Sequence, residues 1–124
     1  MTGAPRNLGS LVNTKGDETG PFIHANGKLY FSSNKLPGAL RDDIFYTREV
    51  NGKWITPKRL PDNINSNRDD RYYISGPGDT TGYFCSNRNR SFDIFSFRSL
   101  WPKFDNCKPL EKNSYKYLFS GRFG

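Results

Sequence analysis

Apolar and polar positions alternate in short bursts along this chain, and no segment carries the 3.6-residue periodicity of a helix. Phe22-Ile23-His24 is a short apolar stretch stopped by Asn26-Gly27, the residue pair of a tight hairpin turn. Lys28-Leu29-Tyr30-Phe31-Ser32-Ser33 resumes as a strand, and Pro37-Gly38 marks a longer loop. Asp43 to Val50 is the next strand, and Asn51-Gly52 is a second hairpin turn of the same type. Trp54 to Leu60 follows as a fourth strand, with Pro57 placing it at an edge because proline cannot donate to a ladder. A second set reads alike: Arg71 to Ser75, a turn at Gly76-Pro77-Gly78-Asp79, Thr81 to Ser86, and Asp93 to Arg98. Its fourth strand is degenerate at Trp101-Pro102-Lys103, and Tyr115 to Phe119 reads as a further strand or an exit tail.

The two sets are a repeat. Tyr30-Phe31-Ser32-Ser33-Asn34 with Asp43-Ile44-Phe45 returns as Tyr83-Phe84-Cys85-Ser86-Asn87 with Asp93-Ile94-Phe95. The preceding linker returns as well, Leu8, Val12-Asn13-Thr14 and Asp17-Glu18 answering to Leu60, Ile64-Asn65-Ser66 and Asp69-Asp70. An offset of roughly 50 residues marks a repeat architecture, in which one unit cannot bury its own faces alone. Four antiparallel strands joined by tight turns make a propeller blade. The expected fold is therefore all-β, about two four-stranded antiparallel blades of a β-propeller. Residues 1–20 lead in as a linker or edge segment, 21–67 form the first blade, 68–104 the second, and 105–124 a degenerate strand or tail. Closed propellers need at least about four blades, so the chain should be a fragment or associate with other copies. Met1-Thr2-Gly3 reads as a start placed before an excised domain.

The stretch from Phe22 to Asn34, followed by Asp43-Ile44-Phe45, resembles the WD40-like repeat of the TolB type: a short strand, an Asn/Asp-Gly-Lys turn, an aromatic strand ending in Ser, then an Asp-Ile-Tyr/Phe strand. The turn at Asn51 to Trp54 and the linker from Leu60 to Ser66 are similar to propeller modules of Gram-negative envelope proteins that join tetratricopeptide repeats, a propeller and an OmpA-like domain. Some of that group serve type IX secretion and gliding. The resemblance covers roughly residues 5–104, and it implies a periplasmic or outer-membrane-associated place. Neither the helical repeats nor the OmpA-like domain lies in this chain, so peptidoglycan binding does not carry over. The second unit departs from the pattern at Asp79-Thr80-Thr81-Gly82. Kelch repeats would show a Gly-Gly pair and sialidase propellers Asp-box turns; an immunoglobulin-like sandwich does not predict the repeat.

Composition refines the picture. Aromatics reach 15% while all hydrophobics reach only 34%, so tyrosine and phenylalanine supply what a lean aliphatic set leaves out. That aromatic content argues against disorder despite a mean hydropathy of −0.80. The formal charge of +7 favours an acidic partner, but the basic residues are scattered singly, so nucleic acid is an unlikely one. No segment has the length of a membrane span. Of the two cysteines, Cys85 sits in a strand as a small hydrophobe, and a bond to Cys107 stays an open alternative.

Candidate chemistry is sparse. Asp43 and Asp93 open matched strands, and each is expected to cap its blade by accepting backbone N–H groups. Gly27, Gly52 and Trp54 are expected to serve the blade structure in the same sense. Asn63, Asn65, Asn67 and Asp69 space oxygens as a calcium loop would, yet lack its glycine and glutamate, so an inter-blade turn is expected and no metal or cofactor. His24 reads as a strand-end residue exposed to water, without a partner for acid–base work. The best candidate site is a basic rim of Arg41, Arg68, Arg71, Arg88 and Arg90 on loops of one face. Tyr72, Tyr73, Phe92 and Phe97 offer a second, aromatic surface. The favoured function is a non-catalytic protein-interaction scaffold, partnered by another protein or by other blades or copies of itself. The alternatives are a carbohydrate-binding or glycan-processing propeller and a basic nucleic-acid-binding module.

Overall fold

The computed structural model describes residues 3–99. Trp101-Pro102-Lys103, Cys107 and the 105–124 segment lie outside the described residues, as does any fourth strand of the second unit. The described chain is all-β, with no helix, and forms two antiparallel sheets, neither closed on itself. Accordingly, no helix there is long and apolar enough to cross a membrane.

The first sheet runs β1 (Glu18–Ile23), β2 (Lys28–Ser33), β3 (Asp43–Val50) and β4 (Lys53–Trp54) in that order, with β5 (Lys58–Arg59) also paired to β3. The expected single strand from Trp54 to Leu60 is thus two short pieces. Ile55-Thr56-Pro57 interrupts it, since Pro57 has no N–H to give, and the break is held where Thr47 Oγ1 donates to the Ile55 carbonyl at 2.5 Å. The second sheet is β6 (Asp70–Ser75), β7 (Thr81–Ser86) and β8 (Asp93–Arg98).

The two Asn-Gly turns are not of one type. Asn51 and Gly52 both take positive φ, 53° and 79°, as a two-residue hairpin with the right twist requires. At the other, only Gly27 is left-handed (φ 95°), and a four-residue connection spans His24 to Gly27. The Asn26 side chain accepts the Lys28 N–H at 2.9 Å, drawing the asparagine into turn bonding instead of a left-handed backbone. In the second unit Asp79 takes the place of Gly27. It is left-handed at φ 57°, and its N–H reaches the Gly76 carbonyl at 2.9 Å as that of Gly27 reaches His24.

Both opening strands are longer than the apolar stretches imply, and both are bulged. Pairing of β1 with β2 shifts between Thr19 and Phe22, and pairing of β6 with β7 shifts between Arg71 and Ile74. The bulge residues are Gly20 (φ 62°) and Tyr72 (φ 61°), and the Tyr72 ring lies where a side chain on Gly20 would stand. β1 accordingly begins at Glu18, ahead of Phe22.

The second sheet lies against one face of the first. Tyr30, Ile44, Leu60, Ile64, Tyr73 and Phe84 form the core between them, with Phe22, Tyr46, Phe95 and Phe97 packed on its margin. Tyr30 stacks on Tyr73 with centroids 4.1 Å apart. Strand alternation sends the next residues to the opposite face, where Phe31 and Phe45 join Val12 and Leu36, flanked by Leu29, Ala39 and Trp54.

Candidate functional site

Three places on this fold hold chemistry: the loop end carrying the arginines, the opposite end where the sheets are pinned together, and the outer face of the second sheet.

At the loop end the repeated linker builds the same clasp twice. Thr14 donates its N–H and hydroxyl to the Glu18 carboxylate at 3.0 and 2.6 Å, and Ser66 does the same to Asp70 at 2.7 and 3.0 Å. Asp17 N–H donates to the Asn34 side chain at 3.0 Å, and Asp69 N–H to that of Asn87 at 2.8 Å. The recurring Ser-Asn and acidic-pair motifs therefore tie each linker to the end of its own second strand. Asn65, 1% exposed, accepts the Ile44 N–H at 2.7 Å and donates to the Ile44 and Leu60 carbonyls. All its polar atoms are spent on backbone, which removes it from any calcium loop.

Three of the five rim arginines are drawn into the same network. Arg41 pairs with Asp69 at 3.2 Å and Arg71 with Asp42 at 2.5 Å. Arg88 bonds Asp70, the Ser86 hydroxyl and the Ile64 carbonyl, and its guanidinium stacks over Phe84 and Phe95. Arg68 and Arg90 are exposed. Burial alone would lift the Asp69 carboxyl, but the Asp42 N–H, Arg41 and Asn87 outweigh it and hold Asp69 below the usual carboxylate range.

Asp43 and Asp93 hold matched positions with different roles. Asp43 is fully buried; it accepts the Leu40 N–H at 3.1 Å and an ion pair from Arg59 at 2.8 Å, while its other oxygen has no partner among the described residues. Burial pushes its carboxyl up, against the pull of Arg59 and the Leu40 N–H. Asp93 is exposed, because among the described residues no counterpart of β5 lies beside β8.

At the opposite end, His24 is buried at 4% exposure, not a water-facing strand end. Its Nδ1 accepts the Asn26 N–H at 2.9 Å, leaving Nε2–H to donate to the Gly76 carbonyl of the second sheet at 2.7 Å. The Asp79 carboxylate, 2% exposed, is enclosed by two phenols: Tyr73 donates at 2.9 Å, and Tyr30 donates to its other oxygen. Burial first, and then the Asp79 carboxylate, hold both phenols well above the usual tyrosine range, so they are neutral donors. The repeat signalled Tyr30; Asp79 sits where the repeat breaks, and only the break pointed to it. No three metal-binding side chains gather among the described residues.

Among the described residues, nothing covers the outer face of the second sheet. Ile74, Tyr83 and Ile94 are 49%, 54% and 76% exposed, and a groove of about 530 Å³ runs beside Ile74 and Tyr83 to Phe97 and Arg98. Their counterparts in the first sheet, Phe22, Tyr30 and Ile44, are turned into the core between the sheets. Cys85 lies half-buried on this strand, and Tyr72 and Phe92 are exposed near the loop end. Tyr73 is instead a core residue and Phe97 packs against the core, which removes both from the expected aromatic surface. Comparison with protein-family models, with curated proteins and with solved structures finds no match.

Proposed function

We propose that this chain is a non-catalytic protein-interaction module, two consecutive propeller-type blades whose open sheet face engages another protein. One observation carries the reading: Ile44 is fully covered by the second sheet, while Ile94, at the same position of the repeat, is 76% exposed. Leaving an isoleucine, an isoleucine neighbour and a tyrosine together in water forfeits several kcal/mol of burial, at about 25 cal/mol per Å². Such a patch marks an interaction surface.

The polar groups favour binding over turnover. His24 and Asp79, the groups best suited to proton transfer, are sealed between the sheets and committed to structural bonds. The arginine rim is largely neutralised by Asp42, Asp69 and Asp70, which weakens the nucleic-acid reading. Asp43 is buried against Arg59, which leaves a sugar no access to the matched carboxylate pair. The resemblance of the repeat to TolB-type envelope modules supports a Gram-negative cell envelope as the setting of the proposed scaffold, type IX secretion machinery being one such setting.

The test is an apolar dye titrated onto the purified chain together with its solution mass by light scattering. Dye binding, or a mass above the 14.2 kDa of one chain, supports the open face. A compact monomer that binds no dye ends the reading.

A further inference from the structure

We infer that copies of this chain dock head to tail, the outer face of the second sheet of one copy seating on the far face of the first sheet of the next. The inference rests on the reading of the open face as a docking surface and names its occupant.

The contact between the two sheets within the chain supplies the pattern. There, Tyr30 and Ile44 of the leading sheet pack with Leu60, Ile64, Tyr73 and Phe84, contributed by the linker and the following sheet. Each of these has a counterpart one repeat away. Tyr83 and Ile94 stand for Tyr30 and Ile44, and both are exposed. Leu8, Val12, Pro21 and Phe31 stand for Leu60, Ile64, Tyr73 and Phe84, and all four line one groove of about 190 Å³ with Leu29. Leu8 and Pro21 are exposed there, and Val12 and Phe31 are already nearly covered by the chain's own second core. Among the described residues the second sheet therefore presents a projecting side and the first sheet a receiving one, and both repeat a contact the chain already makes once.

Such a contact is heterologous, joining two different patches, so it propagates until the rotation closes a ring. Two blades per copy, in rings of about four to eight blades, give roughly two to four copies. The receiving side is the poorer one. Pro21 stands in place of Tyr73, and Gly27 stands at the turn position of Asp79, so the Tyr83 hydroxyl meets no carboxylate like the one Tyr30 reaches. The contact between copies is accordingly weaker than the one inside the chain, and assembly depends on concentration.

Sedimentation velocity on the full chain from about 1 μM to about 200 μM is the test. The expected result is a rise in mass to two or more copies. Ile94→Asp and Leu8→Glu each change an exposed side chain, so circular dichroism and the melting midpoint stay near wild type, and each variant's self-association weakens at least about tenfold. Mixed together, the two variants form a one-to-one complex, because each keeps the side the other has lost. A mixture that stays monomeric while wild type assembles overturns the head-to-tail arrangement in favour of a symmetric one. A wild-type monomer throughout overturns self-docking; if it binds apolar dye the open face still awaits a different protein, and if it does not, the functional reading falls too.

Discussion

The Asp79 carboxylate accepts hydrogen bonds from Tyr30 across the sheet contact and from Tyr73 within its own sheet. One acid, 49 positions beyond Tyr30 in sequence, thus joins β2 of the first sheet to β6 of the second. Asp79→Ala removes the carboxylate acceptor of two buried hydroxyls and is expected to cost about 2–4 kcal/mol. Asp79→Asn tolerates the left-handed backbone and keeps one acceptor, so it should cost only about 1–2 kcal/mol. A urea double-mutant cycle with Tyr30→Phe checks this. If the two changes add independently, the bond contributes nothing.

Asn65 is the second polar tie, and its neighbours in the linker provide the contrast. Asn65→Ala strips bonds from Ile44 N–H and from the Ile44 and Leu60 carbonyls, at an expected loss of about 2–4 kcal/mol. Asn63→Ala and Asn67→Ala, both exposed, should stay within about 0.5 kcal/mol of wild type. Millimolar calcium should leave all four melting midpoints unmoved; a rise in wild type that Asn65→Ala abolishes would restore the calcium loop.

Acid should loosen the loop end through Asp69. Its folded value lies below the ordinary 3.8, so the carboxylate adds stability above 3.8 that is lost as pH falls through the lowered value. Asp43 works the other way: its raised value means its contribution shrinks as pH rises from the ordinary range into the raised one. The gap in urea midpoint between wild type and Asp69→Asn should be open at neutral pH and close as pH drops below about 3.8. A gap that persists unchanged into strong acid contradicts this account.

Gly82 pairs with Phe97 across β7 and β8, where the first sheet pairs Leu29 with Thr47. The two units thus exchange a large and a small residue between partner strands. A methyl on Gly82 would lie 2.0 Å from the Ile74 carbonyl and 2.8 Å from the Phe97 ring. Gly82→Ala should therefore destabilise by about 3 kcal/mol. Adding Phe97→Thr frees the ring but not the backbone carbonyl, so it should not rescue the loss. Full rescue, read by thermal denaturation, would place the whole conflict in the side chains.

Much of the architecture was legible because it rests on local chemistry. Alternation marked β2, β3, β7 and β8 to within a residue, and the turn residues marked their ends. The doubled linker also announced a shared structural job, now visible as the Glu18 and Asp70 clasps. The bulges have no local signature, because Gly20-Pro21 looks like a break and Tyr72 looks like ordinary strand. The pairing of the arginine rim is illegible for a related reason: Arg41 and Arg71 meet their aspartates 28 and 29 positions away, a separation at which one-dimensional charge patterns are blind.

By itself, then, the sequence determined that strands form, where they turn and that the unit is said twice, since side-chain alternation and turn preference act between near neighbours in the chain. Only the tertiary structure decided which copy of each repeated residue is covered. Ile44 and Ile94 are alike in residue and in strand context, yet one is sealed and the other 76% exposed. Burial depends on what packs from elsewhere, and the second sheet covers the first while no described residue covers the second.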